Sequence, residues 1–265
     1  MTTGTPDTPA PLIQELEFAL EIAREAGTLT LQWFPGAGRN IDVDRKDDGS
    51  PVTRADRAAE ALLRRRIAER YPGDAILGEE EGESTGDTGR RWILDPIDGT
   101  RSFIRGVPLY GVLVALEVHG APRVGVIHMP ALGDTVAAAR GAGCTWNGRP
   151  ARVSDTSRLE DALVLTSGDP APSQERMAGW RRLADRAGTA RTWGDCYGYA
   201  LVATGRAEAM LDPILNTWDA AAVRPIIEEA GGVFTDWYGG DSHDAGHAVA
   251  TNAALTGPIR EVLKP

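Results

Sequence analysis

Cysteine and histidine are scarce in this chain, with 2 and 4 of them among 265 residues. Two cysteines, Cys144 and Cys196, are too few for a disulfide framework or a thiolate zinc site, and both read as small buried apolar residues. The histidines, His119, His128, His243 and His247, fall in turns or at strand ends. His243 and His247 stand near Asp241 and Asp244, but that segment contains glycine and lacks a helical pattern, so no metal is assigned to it. Positive charge is also short: 28 Lys and Arg against 38 Asp and Glu, a formal net charge of −10. That balance excludes a general affinity for nucleic acid or anionic membrane, whose phosphates are held by cations. No run approaches the ~18 apolar residues of a membrane span. Met1 to Pro11 carry neither a basic region nor an apolar segment, so they read as a flexible lead rather than a secretory signal, and a cytoplasmic setting is expected. There is no internal repeat, and no linker rich in Pro, Gly or Ser.

What is present is ordinary globular material, 42% hydrophobic and 25% charged, in a chain long enough for a large core. Leu12 to Trp33 and Thr53 to Tyr71 have helical spacing, the first closed by Pro35-Gly36 and the second opened by Thr53 as a candidate N-cap. A polar loop, Arg45 to Pro51, joins them. Residues 91–130 read as strands around a turn at His119 to Pro122. Asp134 to Ala139 and Ala151 to Val153 are weaker strands, with a tight turn at Asn147-Gly148. Further on, Ala162 to Thr166, Glu208 to Leu211, Val233 to Thr235 and Ala248 to Thr251 read as strands. Gln174 to Ala187, Cys196 to Thr204, Thr217 to Ala230 and Leu255 to Leu263 read as helices. This mixed order predicts one layered α/β domain over 1–265, with subdomains of about 12–150 and 151–265.

The informative stretch is Trp92-Ile93-Leu94-Asp95-Pro96-Ile97-Asp98-Gly99-Thr100, an apolar strand that ends in two carboxylates. Upstream, Gly78-Glu79-Glu80-Glu81 also follows a short apolar run, and Trp218-Asp219 lies downstream. Acidic groups at strand ends suit hard divalent cations such as Mg²⁺, which take oxygen ligands and keep water and phosphate in their shells. Asp95 and Asp98 would face opposite ways on a regular strand, so Pro-x-Asp-Gly argues for a sharp turn that aims both at one spot. If a helix begins at Gly99, the free N–H groups of Gly99 and Thr100 offer a seat for an anion.

Taken together, Gly78-Glu79-Glu80, Asp95 to Thr100, Trp218-Asp219-Ala220-Ala221 and Glu229-Ala230-Gly231-Gly232 resemble the inositol monophosphatase family, from about Leu12 to the C-terminus. These are Mg²⁺-dependent, typically lithium-sensitive phosphatases of small phosphate esters, related to fructose bisphosphatase. The resemblance implies an αβαβα sandwich, a homodimer, and two or three Mg²⁺ ions per site. It places one ion on Glu79, Asp95 and the Ile97 carbonyl, and a second on Asp95, Asp98 and Asp219. It also implies that Thr100 and Asp56 orient the attacking water, Thr100 accepting from it while donating to Asp56. Glu80 and Glu81 are not expected to touch an ion. The physical logic agrees, since hydrolysis of a phosphate monoester needs charge neutralisation and in-line positioning rather than a covalent nucleophile.

Substrate choice is expected near Trp193 to Ala200. Asp195 follows Gly194 directly, and reads either as a helix cap favoured by the dipole or, with Asp212, as a contact for a positively charged substrate. Asp195 to Leu201, including Cys196, together with Arg101 to Pro108, is similar to the branch of the family that acts on histidinol phosphate. Hydrolysis of that ester is therefore the leading expectation, with inositol phosphate or a broad range of sugar phosphates as the alternative. Arg101 stands where lysine is commoner; it reads equally as a phosphate contact or a surface ion pair.

Overall fold

The structure is a computed structural model that describes residues 11–35, 42–46, 51–168 and 174–264. The expected lead therefore lies outside the described residues except for Pro11, as do Gly36 and residues 47–50 of the polar loop.

Helices α1 (Ile13–Leu31) and α2 (Arg54–Arg70) form where the apolar spacing places them. Thr53 caps α2 in a full capping box: its hydroxyl accepts from Ala55 N at 3.1 Å, and its own N–H donates to Asp56 Oδ2 at 2.8 Å. Strands β1 (Val43–Arg45) and β2 (Pro51–Thr53) pair antiparallel. Next come β3 (Ala75–Gly78), β4 (Gly82–Ser84), β5 (Arg90–Asp98), the one-turn helix α3 (Thr100–Phe103), β6 (Gly111–Val118), β7 (Ala121–Met129), β8 (Asp134–Ala139), β9 (Gly143–Trp146) and β10 (Arg149–Ala151). These strands make an eight-stranded sheet in the order β10-β9-β8-β7-β6-β5-β3-β4, antiparallel except where β3 and β5 run side by side in parallel. The chain continues through β11 (Leu163–Thr166), α4 (Gln174–Arg186), β12 (Thr189–Arg191), α5 (Asp195–Ala203), β13 (Ala209–Asp212), α6 (Thr217–Glu229), β14 (Val233–Thr235), β15 (Ala248–Thr251) and α7 (Thr256–Leu263). The second sheet has five strands in the order β12-β11-β13-β15-β14.

Alternation along the strands sorts side chains into separate cores. Trp92, Leu94, Val112, Val114 and Leu116 face α1 and α2, where they meet Phe18, Ile22, Leu63 and Ile67. Their neighbours Ile93, Leu113 and Ala115 face the other way, into a core with α5, α6, and Leu165, Met210 and Ala250 of the second sheet. Val164, Leu211 and Val249 then cover α4 and α7 through Leu183, Ile259 and Val262. Helices, sheet, helices, sheet, helices: the arrangement is αβαβα, because each sheet is apolar on both faces and each face is covered by helices.

Two readings change. The strand expected over Ala151 to Val153 lies at Arg149–Ala151, hairpinned to β9 through Asn147-Gly148. The loop read over Arg45 to Pro51 has paired ends in β1 and β2. Those strands, with β4, β9 and β12, are three or four residues long; partner strands hold them, so no apolar period marks them.

Gly125 is where α6 rests on the first sheet. A Cβ there would stand 2.0 Å from the Ala222 carbonyl oxygen and 2.9 Å from Pro225 Cγ. Backbone cannot swing aside as a side chain can, so Gly125→Ala should cost at least about 2 kcal/mol and lower the melting temperature. A melt matching that of the unsubstituted chain would show that α6 is free to slide.

Candidate metal centre

The parallel pairing of β3 with β5 sets Gly78 opposite Leu94, and Glu79 N donates to the Leu94 carbonyl at 3.2 Å. Glu79 therefore leaves its strand level with Asp95. In place of the sharp turn expected at Pro-x-Asp-Gly, the strand continues through Pro96. It runs to Asp98, with its register against β6 broken between Asp95 and Asp98. Ile97 N donates to Asp95 Oδ1 at 2.9 Å across the break. That irregularity replaces the expected turn and brings both carboxylates to one side. Gly99 follows at φ 83°, and a Cβ would lie 2.9 Å from the Leu109 carbonyl oxygen.

Helix α6 supplies the third carboxylate. Asp219 is the third residue of α6, and its Oδ2 accepts from Asn216 N at 2.8 Å, closing a capping box. Asp56 does the same on α2 with Thr53, and its Oδ1 is left buried with no hydrogen-bond partner. In both helices one carboxylate oxygen fixes the helix start, which leaves the other for a ligand. Oxygens of Asp95, Asp98 and Asp219 lie within 4.8 Å of one another.

Such a group cannot stay fully ionised without a cation. Burial first, and then Glu79, Asp98 and Asp219, push the Asp95 carboxyl well above the usual range. Burial, followed by Asp195 and Asp219, does the same to Asp98, and burial pushes Asp219 up to about 6. Clustered carboxylates and an orphaned buried oxygen fit a hard divalent ion with oxygen ligands.

Glu79 stands apart from the tight group of three. Lys46 Nζ lies 2.7 Å from Oε1 of both Glu79 and Glu80. Burial works against the ammonium charge, but the two carboxylates outweigh it and hold the Lys46 pKa above its ordinary value. A cation thus already occupies the position beside Glu79. Glu80, expected not to touch an ion, is not solvated either: its side chain is 6% exposed, and burial raises its pKa to about 7. Glu81 is half exposed, at 54%.

The expected donation from Thr100 to Asp56 is absent. Thr100 Oγ1 donates to the Ile97 carbonyl at 3.0 Å, while Asp56 Oδ2 takes both the N–H and the hydroxyl of Thr53. The Ile97 carbonyl takes the Thr100 proton, and the capping box uses only Oδ2 of Asp56, leaving Oδ1 without a partner.

Gly99, Thr100, Arg101, Glu79, Gly194 and Asp195 line a cleft of about 390 Å³. A recess of about 90 Å³ joins it, with Asp98, Asp195, Cys196, Asp212 and Asp219 in its wall. Asp195 is not a helix cap. Gly194 holds that position without a side-chain bond, and Asp195 begins α5 at φ 52°, a left-handed conformation that glycine, asparagine and aspartate accept more readily than other residues. Burial raises its pKa to about 6, opposed by Arg101, which lines the cleft and forms no ion pair among the described residues. Ser167 ties the two acids together: Asp195 N donates to its hydroxyl at 3.0 Å, and its own N–H donates to Asp212 Oδ1 at 3.3 Å. Gly194 permits this approach, because a Cβ would lie 2.2 Å from Ser167 Cα. Burial takes the Asp212 pKa up to about 7. The Cys196 thiol is buried against Gly111, and its N–H donates to Asp98 Oδ2.

Lys46, Glu60 and Ser167 are contributors that sequence reasoning missed. A signal for Glu60 existed, for it sits four residues beyond Asp56 on the α2 face that also buries Ala59, Leu63 and Ile67. The imidazoles of His243 and His247 point to different partners: His243 Nε2 is 3.4 Å from Glu117 Oε1, and His247 Nδ1 accepts from Trp237 N at 3.0 Å.

An acidic cluster where two parallel strands end, joined by helix starts and opening on a cleft, has the chemistry of an enzyme site for small phosphate esters. Residues 12–263 match the profile of the inositol monophosphatase family, and the chain belongs to that family of phosphate-ester hydrolases. It is 48% identical to a histidinol-phosphatase of Chlorobaculum parvum over 91% of this chain and 93% of that protein. A histidinol-phosphatase of Mycobacterium tuberculosis is 40% identical, over 91% and 94%. Among solved structures, the extragenic suppressor protein SuhB of Bartonella henselae superposes with a TM-score of 0.89 at 31% identity, over 95% of this chain and 98% of that one. Among the described residues no helix is long and apolar enough to cross a membrane.

Proposed function

We propose that this protein hydrolyses L-histidinol phosphate to L-histidinol and phosphate, using two or three Mg²⁺ ions. The observation that carries the substrate is the pair Asp195 and Asp212, tied through Ser167 beside Asp98 and Asp219. A substrate with an ammonium group meets in those carboxylates the opposite charge it needs, and a neutral polyol does not need them. The 48% and 40% identities to histidinol-phosphatases support the same choice.

In this reading Glu79, Asp95 and the Ile97 carbonyl would hold one ion, and Asp95, Asp98 and Asp219 would hold a second. When bound, the ions supply an activated water and neutralise charge on the phosphate and on the departing alkoxide. Thr100, whose proton is committed to the Ile97 carbonyl, keeps its oxygen as an acceptor for the water. Asp56 Oδ1, without a protein partner, is the base-side acceptor. Gly99, Thr100 and Arg101 bind the phosphate, and Gly194, Asp195, Cys196 and Asp212 shape the pocket for the alcohol. A homodimer in the cytoplasm is carried over by analogy with the family.

The test is a kinetic panel with Mg²⁺ on histidinol phosphate, inositol phosphate, fructose bisphosphate and adenosine bisphosphate. Histidinol phosphate should lead by at least about tenfold in kcat/KM, equivalent to about 1.4 kcal/mol. A lead for inositol phosphate transfers the assignment to the polyol branch. No phosphate release on any of them removes the enzyme.

A further inference from the structure

We infer that Glu60 is the positioning residue for Glu79, and that its clamp on the backbone beyond Glu79 sets how tightly the Glu79 side of the site takes a divalent cation. The inference rests on the reading of Glu79 as a cation ligand. Glu60 is fully buried on α2. Its Oε2 accepts from Glu80 N at 2.8 Å, and its Oε1 from Glu81 N at 3.0 Å and Arg64 Nε at 2.8 Å. The two amides immediately after Glu79 are thus held by one rigid carboxylate, while Glu79 N is held by Leu94 of the neighbouring strand. Glu79 is fastened on both sides along the chain, and its carboxylate is left with a narrow range of directions.

Two features show that the fold is built around this contact. At Gly78 a Cβ would stand 2.1 Å from Glu60 Oε1, so only glycine lets the carboxylate reach the amides. Glu60 also lies one helical turn beyond Asp56, on the same face of α2. A single helix therefore fixes both the orphaned Asp56 oxygen and the Glu79 segment, and their spacing is set by helix geometry instead of a loop. Groups that orient a metal ligand typically change metal affinity by about 10- to 100-fold when removed.

The bland alternative is a clamp that only stabilises the turn between β3 and β4. That role would lower the melting temperature and leave the affinity of folded protein for the cation unchanged. Calorimetric titration of the full-length protein with Mg²⁺ separates the two, using Glu60→Gln, Glu79→Gln and the double variant. In Glu60→Gln the new NH₂ meets an N–H, so one amide loses its acceptor. The expected result is Mg²⁺ affinity weakened by about tenfold or more in Glu60→Gln, with little further loss when that change is added to Glu79→Gln. Unchanged affinity in Glu60→Gln, or the same loss with and without Glu79, overturns the inference. Unchanged affinity in Glu79→Gln removes the ligand reading and this inference with it, a result distinct from weakening by Glu79→Gln alone. If Glu60→Gln does not fold, Glu60→Asp is titrated in its place. It keeps the charge but retracts the carboxylate by a methylene, and the same outcomes decide.

Discussion

Asp95→Asn should lower kcat for phosphate release by about a thousandfold, or about 4 kcal/mol of transition-state stabilisation, and should raise the melting temperature of the metal-free protein. Both effects follow from the position of one carboxylate. Asp95 is buried, and its oxygens lie within 4.8 Å of those of Asp98 and Asp219. Without a cation these like charges repel, and Asp95 is itself buried, so burial and its acidic neighbours raise its pKa well above the usual range. Asparagine keeps Oδ1 as an acceptor for Ile97 N, so the break in β5 survives while a charge is removed. The metal-free fold gains, as is common where a site is arranged for function at the expense of stability. With Mg²⁺ the balance should reverse, because a carboxylate that would hold the cation has lost its charge. Phosphate release and melts in EDTA and in Mg²⁺ test the pair of expectations. Activity within a few fold of the unsubstituted enzyme, or a lower melt in EDTA, would contradict the site described above.

Asp195→Asn should cost roughly 100-fold in kcat/KM on histidinol phosphate, about 2.7 kcal/mol, and less than about threefold on inositol phosphate. Removing one partner of a buried charge pair commonly costs about 2–5 kcal/mol, and on the proposed reading the partner would be the substrate ammonium. Asparagine is the informative replacement because it tolerates the φ of 52° at this position. Asp195→Ala removes the charge and also places a residue unsuited to that conformation there, so it should lose on both substrates. Comparing the two separates charge from backbone strain. Equal losses on both esters in Asp195→Asn would show that Asp195 serves the fold or the phosphate rather than the choice of alcohol.

The candidate site was legible in its chemistry and obscure in its wiring. Glu79, Asp95, Asp98 and Asp219 stand out because acidic residues follow apolar runs beside glycine and threonine. What joins them could not be read. Thr53-x-x-Asp56 and Asn216-x-x-Asp219 look like helix starts, and they are. Nothing in those patterns says that the same two aspartates also face the site with a spare oxygen. Glu60 and Lys46 were missed for a related reason. One looks like an ordinary helix glutamate and the other like a loop lysine until the chain brings them to Glu79 and its neighbours across 19 and 33 positions, 79 − 60 and 79 − 46.

By itself the sequence determined the long helices, the longer strands and the acidic chemistry, since apolar spacing and local caps act over a few residues and leave a mark in composition. Tertiary structure alone decided the rest. The short strands exist because partners hold them, the Asp95–Asp98 strand runs through its proline because β6 pairs on both sides of the break, and Asp195 starts its helix left-handed with its N–H held by Ser167 from 28 positions away. These are outcomes of contacts between segments far apart in the chain, where sterics and buried charge outweigh local preference and no neighbouring residue records the result.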